Sequence, residues 1–187
     1  WGPGRAATPL VTALATGTKG AAEPAGESAV AEAVAFEGVV SESELRAVGR
    51  RMAATLRPGD LVLLEGPLGA GKTTLVRELA AALGVTDTVR SPSFTIANVY
   101  AGPLVVNHLD LYRLEEIADE DTLALDEYRS PDAVTLVEWP EAAGGYLGSP
   151  QWVVYLDHDT LTTRRCRVVA HGADVARRWQ EAEPCPR

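Results

Sequence analysis

The chain has 187 residues, of which 46% are apolar, so it can bury the core of one domain, while two full domains would be crowded. The net charge of −9 and the pI near 4.8 argue against a basic surface that would bind DNA or RNA unaided. No apolar stretch approaches the length of a membrane span, and the two cysteines form neither a disulfide framework nor a metal-ligand spacing, so we predict a cytoplasmic protein.

A low-complexity stretch rich in Ala, Gly, Thr and Pro precedes the first periodic segment. Such a composition buries too little apolar surface to offset the conformational entropy of the chain, so we predict a disordered leader at residues 1–30. We assign residues 31–172 to one folded domain and residues 173–187 to a C-terminal helix and tail.

The folded part is predicted to open with a strand at residues 34–40. Ser41 and Glu44 then form a capping box, in which the Ser41 hydroxyl caps the Glu44 amide and the Glu44 side chain reaches back. A helix to about residue 56 should follow.

A glycine-rich loop stands between a predicted strand and a predicted helix. The apolar run at residues 60–65 is typical of a buried strand, and helical apolar spacing covers residues 73–83. Between them, residues 66–73 read GPLGAGKT and match G-x-x-x-x-G-K-[ST], the loop whose backbone N–H groups cradle phosphates and whose hydroxyl holds Mg²⁺. This order of elements predicts a nucleoside triphosphate site.

The lysine of this loop, Lys72, is the only lysine in the predicted folded part, and the other one, Lys19, lies in the leader. A compact ammonium on a thin stem can reach between phosphate oxygens, where a planar guanidinium does not fit. We therefore expect Lys72 to contact the phosphates.

The remainder of the chain is predicted to contain two hairpins. Strands at residues 94–100 and 104–112 form the first hairpin, and strands at residues 152–157 and 164–170 form the second. The other predicted elements are an acidic helix at 115–128, a short buried strand at 135–138 and a closing helix at 174–181. This order indicates an α/β protein: a single P-loop NTPase domain with a mixed, mostly parallel sheet, antiparallel hairpins and helices on both faces.

Two acidic residues end apolar strands. Asp110 and Glu138 should both emerge near the carboxyl edge of the sheet, where hydrolysis needs a carboxylate for Mg²⁺ and a group that orients water. A strand-terminal acid bonded to a neighbouring turn explains the same positions equally well. The hydroxyl-rich residues 91–95 could sense a γ-phosphate or form an ordinary proline turn, and we interpret His108 as a core histidine beside the site.

Four segments of the chain read LGAGKTTLVR at residues 68–77, SPSFT at 91–95, HLDLYRL at 108–114 and LVEWP at 136–140. Together, and in this order, they resemble the TsaE (YjeE) family, the ATPase subunit of the bacterial machinery that makes threonylcarbamoyladenosine in tRNA. The resemblance covers roughly residues 35–170.

The resemblance implies roles for individual residues. Lys72 and Glu138 are the expected catalytic residues, with Glu138 near the metal and the attacking water. Thr73, Asp110 and Glu138 are the expected Mg²⁺ ligands. Contacts to ATP or ADP are expected from Leu68, Gly69, Ala70, Gly71, Lys72, Thr73, Thr74 and Ser93.

The resemblance also implies a reaction and partners. The reaction is hydrolysis of ATP to ADP and phosphate, weak in the isolated subunit and supporting threonylcarbamoyl transfer. The partners are the transferase subunit and its paralogue, and tRNA is met only through them.

Two positions depart from the pattern of the family. Pro67 replaces an acidic or small polar residue and removes one N–H from the loop, which puts one backbone contact in doubt. Ser93 stands where the family has threonine and keeps the hydroxyl.

Other functions stay open at this point. A small-molecule kinase shares the loop, and the arginines of residues 164–167 could serve as its lid, although a solvated edge strand explains them as well. A nucleotide-responsive binding module is compatible with the same residues. A GTPase is disfavoured because the chain has no Asn-Lys-x-Asp stretch.

Overall fold

The computed structural model describes residues 32–92, 95–113, 125–143 and 146–183. The predicted leader lies outside these ranges, as do Ser93 and most of the predicted acidic helix. The described part of that helix, Leu125–Tyr128, is a 3-10 helix.

Most strands and helices of the described chain lie close to their predicted bounds. The strands are β1 Glu32–Ser41, β2 Leu61–Glu65, β3 Ala97–Tyr100, β4 Val105–Asp110, β5 Ala133–Glu138, β6 Trp152–His158 and β7 Thr163–His171. The α-helices are α1 Glu42–Ala53, α2 Lys72–Ala82 and α3 Ala173–Glu181, and a second 3-10 helix spans Pro140–Ala143.

The seven described strands form one mixed sheet in the order β1-β7-β6-β2-β5-β4-β3. The four central strands, β6, β2, β5 and β4, pair in parallel, whereas β1, β7 and β3 are antiparallel to their neighbours. Both predicted hairpins are present, and the predicted α/β fold class is confirmed. Parallel pairing brings the carboxyl ends of β2, β4 and β5 to one edge of the sheet, where the candidate site lies.

The two faces of the sheet are covered differently. All three α-helices pack on the face of Val62 and Leu64, in a core that includes Leu45, Leu79 and Trp179. The opposite face, which carries Leu61 and Leu63, is packed by the two 3-10 helices through Leu125 and Ala143. Helices on both faces are therefore confirmed, and α3 shares the core of the sheet that precedes it.

The start of α1 is the predicted capping box. The Glu44 amide donates to the Ser41 hydroxyl at 3.4 Å, and the Ser41 amide donates to the Glu44 carboxylate at 2.8 Å. This short hydrogen-bonded turn lowers the pKa of Glu44, first of all through the Ser41 amide. The cap ends β1 and starts α1 within one residue.

The strand predicted at residues 94–100 begins later than expected, at Ala97. The amides of Thr95 and Ile96 both donate to the Pro92 carbonyl at 2.9 Å, and Ile96 has a φ of 65°. A β-branched residue in the left-handed region marks a tight turn rather than extended chain. The predicted strand at 104–112 likewise ends early, at Asp110, whose side chain accepts a hydrogen bond from the Tyr112 amide in a local turn.

The closing helix α3 is fastened to the turn before β2 by a buried ion pair. Arg178 donates to the two oxygens of Asp60 at 2.7 and 3.3 Å and to the Thr55 carbonyl at 3.0 Å. Both charged side chains are 7% exposed. None of the described helices is both long and apolar enough to cross a bilayer.

Candidate functional site

The glycine-rich loop connects β2 to α2 through backbone conformations that favour glycine. Gly66, Gly69 and Gly71 have φ values of 138°, 77° and 108°. Gly66 is the most constrained, because a Cβ there would lie 1.9 Å from the Leu156 carbonyl oxygen of neighbouring β6. The loop therefore packs against the sheet more closely than any side chain would allow.

Lys72 is held beneath this loop. Its side chain is 4% exposed, and its ammonium donates to the carbonyls of Gly66 at 2.6 Å and Pro67 at 3.0 Å. The ammonium also lies 3.7 Å from the centroid of the Trp139 ring, within cation–π range. Burial lowers the pKa of Lys72, and nearby carboxylates, Glu138 first among them, oppose that shift.

Glu138 ends β5 directly beside the start of α2. The Thr73 hydroxyl lies 2.9 and 3.0 Å from its two oxygens, and His108 Nε2 lies 2.9 Å from Oε1. The carboxylate is 3% exposed. Two side chains from two other elements thus fix its position.

Asp110 ends β4, and the parallel register places it opposite Glu138. Its Oδ2 accepts a hydrogen bond from the Ser91 hydroxyl, and its Oδ1 accepts one from the Tyr112 amide at 3.2 Å. The two acids predicted from strand ends are therefore neighbours at the carboxyl edge of the sheet, next to the loop.

A cavity of about 350 Å³ opens over these groups. It is lined by Leu68, Gly69, Gly71, Lys72, Thr73, Thr74, Ser91, Asp110, Tyr112, Glu138 and Trp139. Most of the residues predicted to contact nucleotide or metal thus share one cavity.

Comparison with known proteins identifies the family. Residues 39–166 match the family model described as threonylcarbamoyl adenosine biosynthesis protein TsaE. The chain belongs to the TsaE family. The resemblance predicted from four short segments is therefore confirmed.

Individual relatives agree with this assignment. Two relatives are named tRNA threonylcarbamoyladenosine biosynthesis protein TsaE. The one from Streptomyces coelicolor is 46% identical, over 71% of this chain and 86% of the relative. The one from Bacillus subtilis is also 46% identical, over 54% of this chain and 63% of the relative. The match thus spans less than two thirds of the Bacillus relative. The crystal structure of Bacillus subtilis YdiB superposes with a TM-score of 0.65 at 33% identity, covering 81% of this chain and 94% of YdiB.

The oxygen atoms gathered in this TsaE-family chain fit Mg²⁺. The Thr73 hydroxyl and the carboxylates of Asp110 and Glu138 are hard donors, which Mg²⁺ prefers. Among the described residues, no group of three or more His, Cys, Asp or Glu side chains is arranged so that it could hold a metal ion. A site with two carboxylates suits Mg²⁺ that completes its shell with substrate phosphates and water, because such sites need no all-protein cage.

Not every predicted contact can take the same form. Ala70 is fully buried in the core, lies outside the cavity lining, and donates its amide to the Pro67 carbonyl at 3.2 Å, whereas Leu68 is 71% exposed on the outer limb of the loop. The Leu68 carbonyl lies 3.1 Å from His158 Nε2 at the end of β6. Pro67 has no N–H to offer, but its carbonyl holds Lys72. Ser93 lies outside the described residues.

Three site residues had no predicted role at the site. Trp139 faces the Lys72 ammonium, and its ring centroid lies 4.8 Å from that of Tyr112, while His108 contacts Glu138. The positive φ of Trp139, 59°, turns the chain sharply after β5. The available signal was the position of Trp139 directly after a strand-ending acid.

Proposed function

We propose that this chain binds ATP with Mg²⁺ in the cavity over the glycine-rich loop and hydrolyses the ATP to ADP and phosphate. The observation that carries the proposal is the convergence of Lys72, Thr73, Asp110 and Glu138 from three separate elements beside one phosphate-type loop. A turn between core elements would need neither a buried lysine nor two neighbouring carboxylates.

The loop and α2 would bind the phosphates. The first residues of α2 line the cavity, and the backbone N–H groups at a helix N-terminus are free to bind anions. The helix dipole also favours negative charge at this end. Lys72 holds the loop through two hydrogen bonds and faces the Trp139 ring, so contact with a phosphate oxygen requires its ammonium to move away from one of these three partners. Binding and loop geometry are thus coupled through one side chain.

Thr73, Asp110 and Glu138 would hold Mg²⁺, and bound Mg²⁺ supplies positive charge that offsets the charge developing on the phosphate oxygens. Glu138 is also placed to orient the attacking water, since its carboxylate is fixed in place and borders the cavity. Enzymes catalyse phosphoryl transfer mainly by positioning the reacting groups and by stabilising the charge of the transition state. The proposed arrangement would supply both.

The family name supplies the biological setting of the proposal. We infer that ATP hydrolysis supports the formation of threonylcarbamoyladenosine in tRNA, through the transferase subunit and its paralogue, in the cytoplasm. The net charge of −9 supports indirect contact with tRNA, because an acidic protein repels a phosphate backbone. The isolated chain should hydrolyse ATP slowly.

Glu138→Gln tests the proposal. The variant keeps the shape of the side chain but loses its charge, so we expect ATP affinity within about threefold of wild type and hydrolysis reduced at least about 100-fold. Hydrolysis is measured with and without the two candidate partner proteins, and binding by calorimetry.

Glu141→Gln is the matched control. Glu141 is an exposed acid three residues after Glu138, and it lies outside the cavity lining. It is close enough to Lys72 for its negative charge to raise the pKa of that lysine. It should retain wild-type hydrolysis. Wild-type turnover in Glu138→Gln, or phosphoryl transfer to a small acceptor without any response to the partner proteins, would contradict the proposal.

A further inference from the structure

His108 is a fully buried titratable side chain for which the proposed reaction has no role. It lies on β4, two residues before Asp110, and is 0% exposed. Its Nε2 is 2.9 Å from Glu138 Oε1 on the adjacent strand. The imidazole thus touches the carboxylate on which the proposed hydrolysis depends, from the side opposite the solvent.

The contacts assign the tautomer of this imidazole. A carboxylate oxygen only accepts, so Nε2 must carry the hydrogen that joins it to Glu138. The other nitrogen, Nδ1, is buried and has no hydrogen-bond partner among the described residues. Hydrogen on Nε2 therefore makes the contact. A ring with hydrogen on Nδ1 alone would place a nitrogen lone pair against the carboxylate and would leave a buried N–H without an acceptor among the described residues.

The second contact of Glu138 is of a different kind. Thr73, whose hydroxyl lies 2.9 Å from the same carboxylate, lines the cavity and is a proposed Mg²⁺ ligand. A hydroxyl whose oxygen binds a metal ion reorients to suit the ion, so the geometry of its hydrogen bond to Glu138 depends on what occupies the cavity. Only the hydrogen bond from the buried His108 is independent of what occupies the cavity.

We propose that His108 is a positioning residue: its Nε2–H holds the Glu138 carboxylate in the orientation needed for ATP hydrolysis. The proposal rests on the proposed function. Catalytic groups must be held to within a fraction of an ångström, and a buried hydrogen-bond partner with a single rotamer provides that restraint. The ring is itself confined, since it stacks beside Tyr100 with centroids 6.4 Å apart.

Replacing His108 tests this role through the kinetic parameters. His108→Leu removes the donor, and we expect kcat to fall about 10- to 100-fold while the Kd for ATP stays within about threefold. His108→Gln places an amide N–H near the position of Nε2 and should recover most of the lost kcat. A fall in kcat that His108→Gln does not restore, or a parallel loss of ATP affinity, would overturn the proposal.

Two comparisons separate positioning from a loss of stability. Asn107→Leu removes a buried donor of the same strand, which bonds the Tyr128 carbonyl at 2.7 Å on the opposite face, so it should lower stability but leave kcat unchanged. In a Glu138→Gln background, His108→Leu should change the residual rate less than about twofold, because the group it positions is already altered. An equal loss in both backgrounds would refute the mechanism.

A measurement on the unaltered protein covers the case in which His108→Leu does not fold. The ¹⁵N shifts of the His108 ring show which nitrogen carries hydrogen, and we expect hydrogen on Nε2. A ring with hydrogen on Nδ1 and none on Nε2 would overturn the proposal. If the wild-type protein hydrolysed no ATP, the proposed function would fail, whereas the tautomer measurement would still test the contact with Glu138.

Discussion

Substituting the first glycine of the phosphate-type loop should destabilise the whole fold, not only the loop. In Gly66→Ala, the new Cβ would lie 1.9 Å from the Leu156 carbonyl oxygen, so loop and β6 must separate by at least about 1 Å. The φ of 138° is also a conformation that alanine rarely adopts. Backbone strain of about 1–3 kcal/mol and overpacking of about 1–3 kcal/mol together predict a loss of about 2–6 kcal/mol in the free energy of unfolding.

Gly69→Ala in the same loop is the matched comparison. Its φ of 77° gives strain of about 1–2 kcal/mol, but the nearest atom to a Cβ is His158 Cε1 at 3.7 Å, an ordinary contact. Urea denaturation followed by circular dichroism measures both variants. The total free energy of unfolding of a domain of this size is about 5–15 kcal/mol. Gly66→Ala should therefore be severely destabilised and Gly69→Ala moderately. If the two variants lost equal stability, the close approach of Gly66 to β6 would not govern the packing of the loop.

Two further predictions concern single side chains. Lys72→Arg keeps the charge, but a guanidinium does not fit the space between the carbonyls of Gly66 and Pro67. ATP affinity measured by calorimetry should therefore fall at least about tenfold. Unchanged affinity would refute the steric argument. Arg178→Met leaves the Asp60 carboxylate buried without its cation. The free energy of unfolding, measured by urea denaturation, should fall by about 3–5 kcal/mol. A loss below about 1 kcal/mol would show that the ion pair does not fasten α3 to the turn before β2.

The sequence predicted the parts of the site that local pattern determines. The glycine-rich loop is a continuous stretch, so its motif can be recognised from neighbouring residues, whereas the close approach of Gly66 to Leu156 of β6 cannot. Asp110 and Glu138 were identified because the ends of parallel strands meet at one edge, a rule that needs only the two strands to be recognised. Both acids do lie there, paired by the register of β4 and β5. Their roles toward metal and water stay predictions.

The contacts that depend on sheet order could not be predicted in the same way. Trp139 reaches Lys72 only because β5 is the direct neighbour of β2, although about 70 residues separate them along the chain. The contact of His108 with Glu138 likewise needs β4 beside β5 in one particular register. A histidine inside an apolar strand looks the same in sequence whether or not a carboxylate meets it. The pairing of β1 with β7, which makes β1 one edge of the sheet, could not be predicted from the sequence pattern either.

Both proposed metal ligands of carboxylate type are already hydrogen-bonded to hydroxyl groups of other segments. Thr73, at the start of α2, bonds Glu138, and Ser91, in the segment after the loop helix, bonds Asp110. A cation can bind these carboxylates beside the hydroxyls, because a carboxylate offers about four acceptor sites and each of the two accepts hydrogen bonds from only two groups of the described chain. Ser91 belongs to residues 91–95, for which a switch-like segment and an ordinary proline turn were both open, and its hydrogen bond to Asp110 ties the start of that segment to the site in either case.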